Sequence, residues 1–333
     1  MHQLFHLRRD RDLKPSADKP RSHIRAIFGA TVVASILTLA VGCNKRGADD
    51  AASDAKQTSL AGKPRTLMFI FGDRTDPRVL PLAALVNGEI KQIALDSSGW
   101  RNFDHIYFPA GATLTAYVGG TSIGNATIRR GMWDGTQAPL YKLPNCRSLR
   151  PLAAATVDSA PHNVMLELLA TSDPLPVAPP RAAQVPADID TARALATRVA
   201  QHEGLTNSAR SELDEVLNSF YTGVTLHPTV TGSYLERGSG LNGKPRHVFV
   251  IGDYVEDAKG YVQSFAHVPK AEDREYRRLI DHLDLTGDGV DEIVLEGWHA
   301  GGDSYLVFLQ YHGGHWREVA RSATNWCADA GKS

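Results

Sequence analysis

The sequence predicts an α+β fold, mainly antiparallel β, in two domains, the second with two helices followed by a β-meander. Three observations carry that expectation. Strand-like runs frame Asn87-Gly88 and Gly119-Gly120; apolar residues take helical spacing after residue 188; and from His247 onward short apolar runs alternate with tight polar turns. With 333 residues, 42% hydrophobic and 22% charged, the chain has room for two cores and the composition of a globular protein, so disorder is not the default.

The first element, residues 1–42, reads as a signal peptide. Basic residues Arg8, Arg9, Arg11, Lys14, Lys19, Arg21 and Arg25 lead into the apolar run 26–41. That run is shorter than the roughly 20 apolar residues a membrane-spanning helix requires. It ends in Gly42-Cys43, followed by polar Asn44, Lys45 and Arg46.

The junction Leu39-Ala40-Val41-Gly42-Cys43 resembles a bacterial lipoprotein lipobox, with Ala40 where that family favours Leu. The resemblance implies cleavage before Cys43 and lipidation of its thiol, with palmitate among the acyl chains. Each buried methylene contributes about 0.8 kcal/mol, so several chains hold a body firmly at a bilayer. The expected location is the cell envelope, anchored to a membrane, with the body on the non-cytoplasmic, periplasmic side.

Charge and cysteine usage follow from this leader. Seven of the 36 Lys and Arg and three of the 37 Asp and Glu fall in residues 1–42, which leaves the mature chain with five net negative charges. A nucleic-acid partner is disfavoured, because such proteins offer basic surface to phosphate. With Cys43 lipidated, Cys146 and Cys327 remain, and an oxidising compartment favours a disulfide between them over two separate thiols.

Residues 43–65 are small, polar and without apolar period, as in a flexible tether. The first domain, 66–170, opens with the apolar strand 67–71. A hairpin turns at Asn87-Gly88, a dipeptide suited to the positive φ angles of a primed turn, and a second turns at Gly119-Gly120. Pro174, Pro176, Pro179, Pro180 and Pro186 then mark 171–187 as a linker.

The second domain, 188–328, starts with a helix capped by Asp190, with Ala192, Leu195, Ala196 and Val199 on one face until Gly204. A second helix is expected from Ser208, with Leu213, Val216, Leu217 and Phe220 on its apolar face, ending before Gly223. Strands follow at 247–251, 260–267, 292–296, 304–311 and 315–319, joined shortly enough for a meander. The unit has no second copy, so a propeller built by repetition is not expected.

The sharpest chemical signal is residues 284–292, Asp-Leu-Thr-Gly-Asp-Gly-Val-Asp-Glu, leading straight into a strand. Calcium takes about 6 to 8 oxygens, and a loop turning at glycine can aim alternate residues at one point. The side chains of Asp284, Thr286, Asp288 and Glu292 and the carbonyl of Val290 have that spacing. The stretch resembles the calcium loop of FG-GAP repeats, with Thr286 where that family has Asp or Asn. The resemblance implies a Ca2+ that orders the loop; the same residues also suit a glycine turn with solvated acids.

Other constellations are weaker. His267, His282, His299, His312 and His315 crowd the C-terminal part, yet His312 and His315 straddle Gly313-Gly314 and read as turn histidines rather than a metal pair. Gly301-Gly302-Asp303-Ser304 lacks a nucleophile elbow. Trp100, Phe103, Tyr107, Phe108, Trp133 and Tyr141 either line a ligand groove or, more in keeping with a small sheet domain, fill a core. The expected function is an envelope-anchored lipoprotein that binds or scaffolds, with an unknown protein or glycan as ligand. The alternative is an exported hydrolase with a site assembled between the domains.

Overall fold

Glycine turns and apolar strands at the front of the chain produce a closed sheet. The computed structural model describes residues 63–132, 152–158, 165–176, 189–203, 213–236, 247–270, 275–299 and 304–322. Cys43, Cys146 and Cys327, the leader, the tether up to residue 62, Trp133, Tyr141 and residues 301–303 lie outside the described residues, and Arg65, the last residue of the expected tether, already belongs to the first strand. The first sheet contains β1 (Arg65–Gly72), β2 (Arg78–Val86), β3 (Glu89–Gln92), β4 (Thr113–Val118), β5 (Thr121–Arg130), β6 (Ala153–Val157) and β7 (Leu166–Thr171). Their order is β1-β7-β4-β5-β6-β2-β3, and β1 also pairs with β2, so six antiparallel strands close on themselves with β3 attached to β2. Closure leaves those six strands without open edges.

Both hairpins turn where the sequence places them. Asn87 and Gly88 have φ of 52° and 76°, and Gly119 and Gly120 have 58° and 72°. Inside the barrel, Met68, Ile70, Leu114, Ala126, Ile128, Ala153, Ala155, Leu168 and Ala170 meet Phe103, Tyr107 and Phe108. The alanines leave room for those rings. Phe103 and Tyr107 stand on α1 (Ser97–Tyr107), whose start is fixed by the Asp96 carboxylate accepting from the Gly99 N–H at 2.7 Å. The aromatic stretch is therefore core.

A second sheet follows: β8 (Leu213–Phe220), β9 (Thr229–Glu236), β10 (His247–Val255) and β11 (Gly260–His267), in spatial order β11-β10-β9-β8. Helix α2 (Ile189–His202) lays Ala192, Leu195, Ala196 and Ala200 against Val230, Tyr234, Val248 and Val250. It lies close to the strands because Gly232 and Gly252 carry no side chain. A Cβ on Gly232 would sit 2.7 Å from the Ala192 carbonyl oxygen, and one on Gly252 would sit 2.2 Å from Leu195 Cδ1.

The second helix expected from Ser208 is not formed: residues 213–220 are strand β8. Its register with β9 runs from Leu213 opposite Glu236 to Phe220 opposite Thr229. In a strand, Leu217 and Phe220 point to opposite faces. Leu217 packs toward α2, while Phe220 joins the core on the other side. Helical spacing was present in the sequence, but a free strand edge and two separate cores satisfy the same residues better.

The third sheet is a meander in chain order: β12 (Glu275–Leu283), β13 (Glu292–His299), β14 (Ser304–His312) and β15 (His315–Arg321). Its central strands are buried on both faces. Ile293, Leu295, Tyr305, Val307 and Leu309 meet Phe249 and Ile251 of the second sheet. Val294, Leu306 and Phe308 meet Leu67, Phe69, Leu85 and Leu169 on the outside of the barrel. Burial on two sides explains why β1, β10 and β14 read as continuous apolar runs rather than alternating ones.

The described residues all fall within one compact unit, Ser53–Ser333. The core shared by barrel and meander joins residues on both sides of the proline-rich stretch. The fold is thus mostly antiparallel β with two helices among the described residues. No helix among them is long and apolar enough to cross a membrane.

Candidate functional site

The acidic loop 284–291 connects β12 to β13, and its own backbone shapes it. Gly287 and Gly289 have φ of 80° and 89°, which lets both N–H groups turn onto one carboxylate, Asp284, at 2.7 and 3.0 Å. Asp288 accepts from the Val290 N–H at 2.8 Å. Glu292 is 1% exposed and faces inward, accepting from the Leu285 N–H at 2.7 Å, the Thr286 hydroxyl at 3.0 Å and the Gln310 amide at 3.1 Å. Burial pushes its carboxyl up to about 7, and the charges of Asp288 and Asp284 push the same way, against the bonds from Leu285 and Thr286.

Of the five residues expected around calcium, Thr286 and Glu292 are brought together, while Asp284 and Asp288 stand on the outer part of the loop. Among the described residues no group of three or more His, Cys, Asp or Glu converges to hold a metal ion. Each carboxylate oxygen nevertheless keeps a second lone pair beside the one an N–H occupies. Asp284 and Asp288 therefore keep lone pairs beyond those bonds.

The loop rests on the two hairpin tips of the barrel. A Cβ on Gly88 would lie 3.4 Å from the Thr286 carbonyl, and one on Gly120 would lie 3.0 Å from Asp291 Oδ2. Asp281, pushed up by burial, accepts from the Gly119 N–H at 2.9 Å. His282 and Asp291 are 2.7 Å apart between Nδ1 and Oδ2, Phe220 stacks on the imidazole at 4.5 Å, and the Asp291 N–H donates to the Thr222 carbonyl at 2.7 Å.

A buried His–Asp pair is two-thirds of a hydrolytic triad. No hydroxyl among the described residues hydrogen-bonds His282, and Phe220 and Gly120 cover its faces. What the pair does is tie the hairpin tip, β12 and the β8–β9 turn together. No protein-family model, no curated protein and no solved structure matches this chain.

Two further polar clusters escaped the sequence reading. Asp253, 2% exposed, accepts from Thr229 and Ser264, both at 2.5 Å, and from the Trp316 indole at 2.7 Å. His247 lies beside His267, Glu275, Arg277, Tyr305 and Arg321 between the second and third sheets. Burial, with the Arg277 charge, lowers His267 to about 4. The signal available was a charged residue inside a strand-like run, Asp253 after Ile251-Gly252 or Arg277-Arg278 in β12. His312 and His315 face each other across the Gly313-Gly314 turn and are exposed.

Proposed function

We propose that this chain is a lipid-anchored protein of the cell envelope whose body binds or scaffolds rather than hydrolyses. The observation that carries the anchor is the basic segment and short apolar run ending in Gly42-Cys43. What supports a binding role is how the buried polar groups are used. The His282–Asp291 pair, Asp253 and His247 are each spent on holding elements together.

A calcium ion on loop 284–292 belongs to the same proposal, with Asp284, Thr286, Asp288, Val290 and Glu292 as its candidate ligands. Its contribution would be to screen carboxylates crowded on one loop and so hold the barrel's hairpin tips against the meander. The anchor is tested by growth in labelled palmitate. The parent is expected to incorporate label and fractionate with membranes, and Cys43→Ala to do neither. A variant processed and retained on membranes like the parent overturns the proposal.

A further inference from the structure

Glu292 opens β13, and Gln310 lies on β14. Ile293 pairs with Leu309, so Glu292 and Gln310 oppose each other one step further out and project from the same face. One oxygen of the Glu292 carboxylate, Oε2, is held by the Leu285 N–H at 2.7 Å. The other, Oε1, takes two donors: the Thr286 hydroxyl at 3.0 Å and Nε2 of Gln310 at 3.1 Å. A loop hydroxyl and a strand amide thus meet on one oxygen of a side chain that is 1% exposed.

The neighbours of the amide fix its orientation. An ionised carboxylate only accepts, so the NH2 group of Gln310 faces Glu292 and the carbonyl oxygen faces away, 2.8 Å from Nε2 of His312. A carbonyl oxygen also only accepts, so His312 carries a proton on Nε2 and donates it there. Four side chains therefore stand in a chain of contacts: a hydroxyl, a base shared with a leaving nitrogen, an acyl carbon, and a donor on the acyl oxygen. Those are the parts of an acyl transfer.

We infer that Thr286 and Gln310 become joined by an ester bond that the folded protein forms on itself. Glu292 takes the hydroxyl proton as Thr286 Oγ1 attacks Cδ of Gln310, and the negative charge gathering on Gln310 Oε1 is met by the His312 N–H. Collapse breaks the Cδ–Nε2 bond. Glu292 returns the proton to that nitrogen, which leaves as ammonia. One O–H and one C–N bond are broken, one C–O and one N–H bond are made, and the carboxylate ends as it began, so the step balances without a co-reactant.

A free amide resists attack by an alcohol in water, but here both reactants are held on one base, and placement of that kind removes a large part of a barrier. Escape of ammonia to solvent makes the step one-way. The ester ties the acidic loop to β14 across β13, which restricts the unfolded chain and holds the loop on the hairpin tips of the barrel. The inference is independent of the lipid anchor and of calcium, because the bond is read by mass and calcium by melting temperature.

The test is mass spectrometry of the purified full chain after denaturation and digestion. Trypsin leaves residues 279–317 as one peptide, because no Lys or Arg lies between Arg278 and Arg317, and Gln310 is the only side-chain amide in it. That peptide is expected to be lighter than its sequence by one ammonia, and to have its full mass in Thr286→Val. A glutamyl-specific protease, cutting after Glu292 and Glu296, should release the Thr286 and Gln310 segments still joined. Hydroxylamine, which cleaves esters and spares amides, should then part them. A parent peptide at full mass overturns the bond, as does a deficit that persists in Thr286→Val or a linkage that hydroxylamine leaves intact.

Discussion

The backbone N–H of Arg277 donates to Nε2 of His247 over 3.0 Å, while Nδ1 of the same ring donates to the carbonyl of Tyr234, also over 3.0 Å. One edge strand of the third sheet is thereby tied to the second sheet through an imidazole with both nitrogens committed. The ring must be neutral, because a proton on Nε2 would displace the Arg277 N–H. Burial above all, and the neighbouring His267, hold its pKa down at about 3.

Stability should therefore fall on mild acidification. An unfolded histidine takes up its proton near pH 6.5, whereas the folded His247 does so only near 3, so the unfolded state binds more protons between those values. The contribution is complete above about pH 6.5 and is lost as pH drops; by pH 5 about 2 kcal/mol of it is gone. Glu292 acts oppositely, since its raised carboxyl favours folding as pH falls below about 7. Comparison with His247→Gln isolates the histidine. Urea unfolding at pH 7 and pH 5 should show the parent losing about 2 kcal/mol more than the variant; equal losses would refute the assignment.

Calcium should raise the melting temperature. Asp284, Asp288, Asp291 and Glu292 place four carboxyl groups on nine residues, and burial raises both Asp284 and Glu292. A ligand present at about 100 times its dissociation constant stabilises by about 2.7 kcal/mol. Scanning calorimetry in millimolar calcium and in chelator should differ by several degrees, and Asp288→Asn should shrink the difference. Identical transitions in the two buffers would remove calcium from the account.

The hairpins were legible because Asn87-Gly88 and Gly119-Gly120 encode their turns locally, and the strands of β10, β11, β13, β14 and β15 because their apolar runs are bounded by turn residues. Strand β8 was not, since Leu213, Val216, Leu217 and Phe220 fit a helix equally well until β9 supplies hydrogen bonds. Helix α1 left a signal in Asp96 and the spacing of Trp100, Phe103 and Tyr107, obscured by residues of low helix propensity. The acidic loop could be found from its glycines. The gathering of Arg78, Arg129 and Arg130 on Asp76 could not, because Arg78 and Arg130 become neighbours only when both pair with Ala154.

Asp253 supplies the last test. Its carboxylate receives Thr229 from β9, Ser264 from β11 and Trp316 from β15, all over 2.5–2.7 Å, so one buried charge links the second and third sheets through three donors. Hydroxyls can rotate to other acceptors, but an indole N–H only donates and stays orphaned if the acceptor goes. Asp253→Ala should cost about 3 kcal/mol, and Asp253→Asn, which keeps one oxygen for Trp316, about half as much. In a Trp316→Phe background the alanine substitution should cost about 1 kcal/mol less, because the orphaned donor is already absent. Urea denaturation of the four proteins measures this coupling. Additive effects would mean that the indole and the carboxylate do not act as a pair.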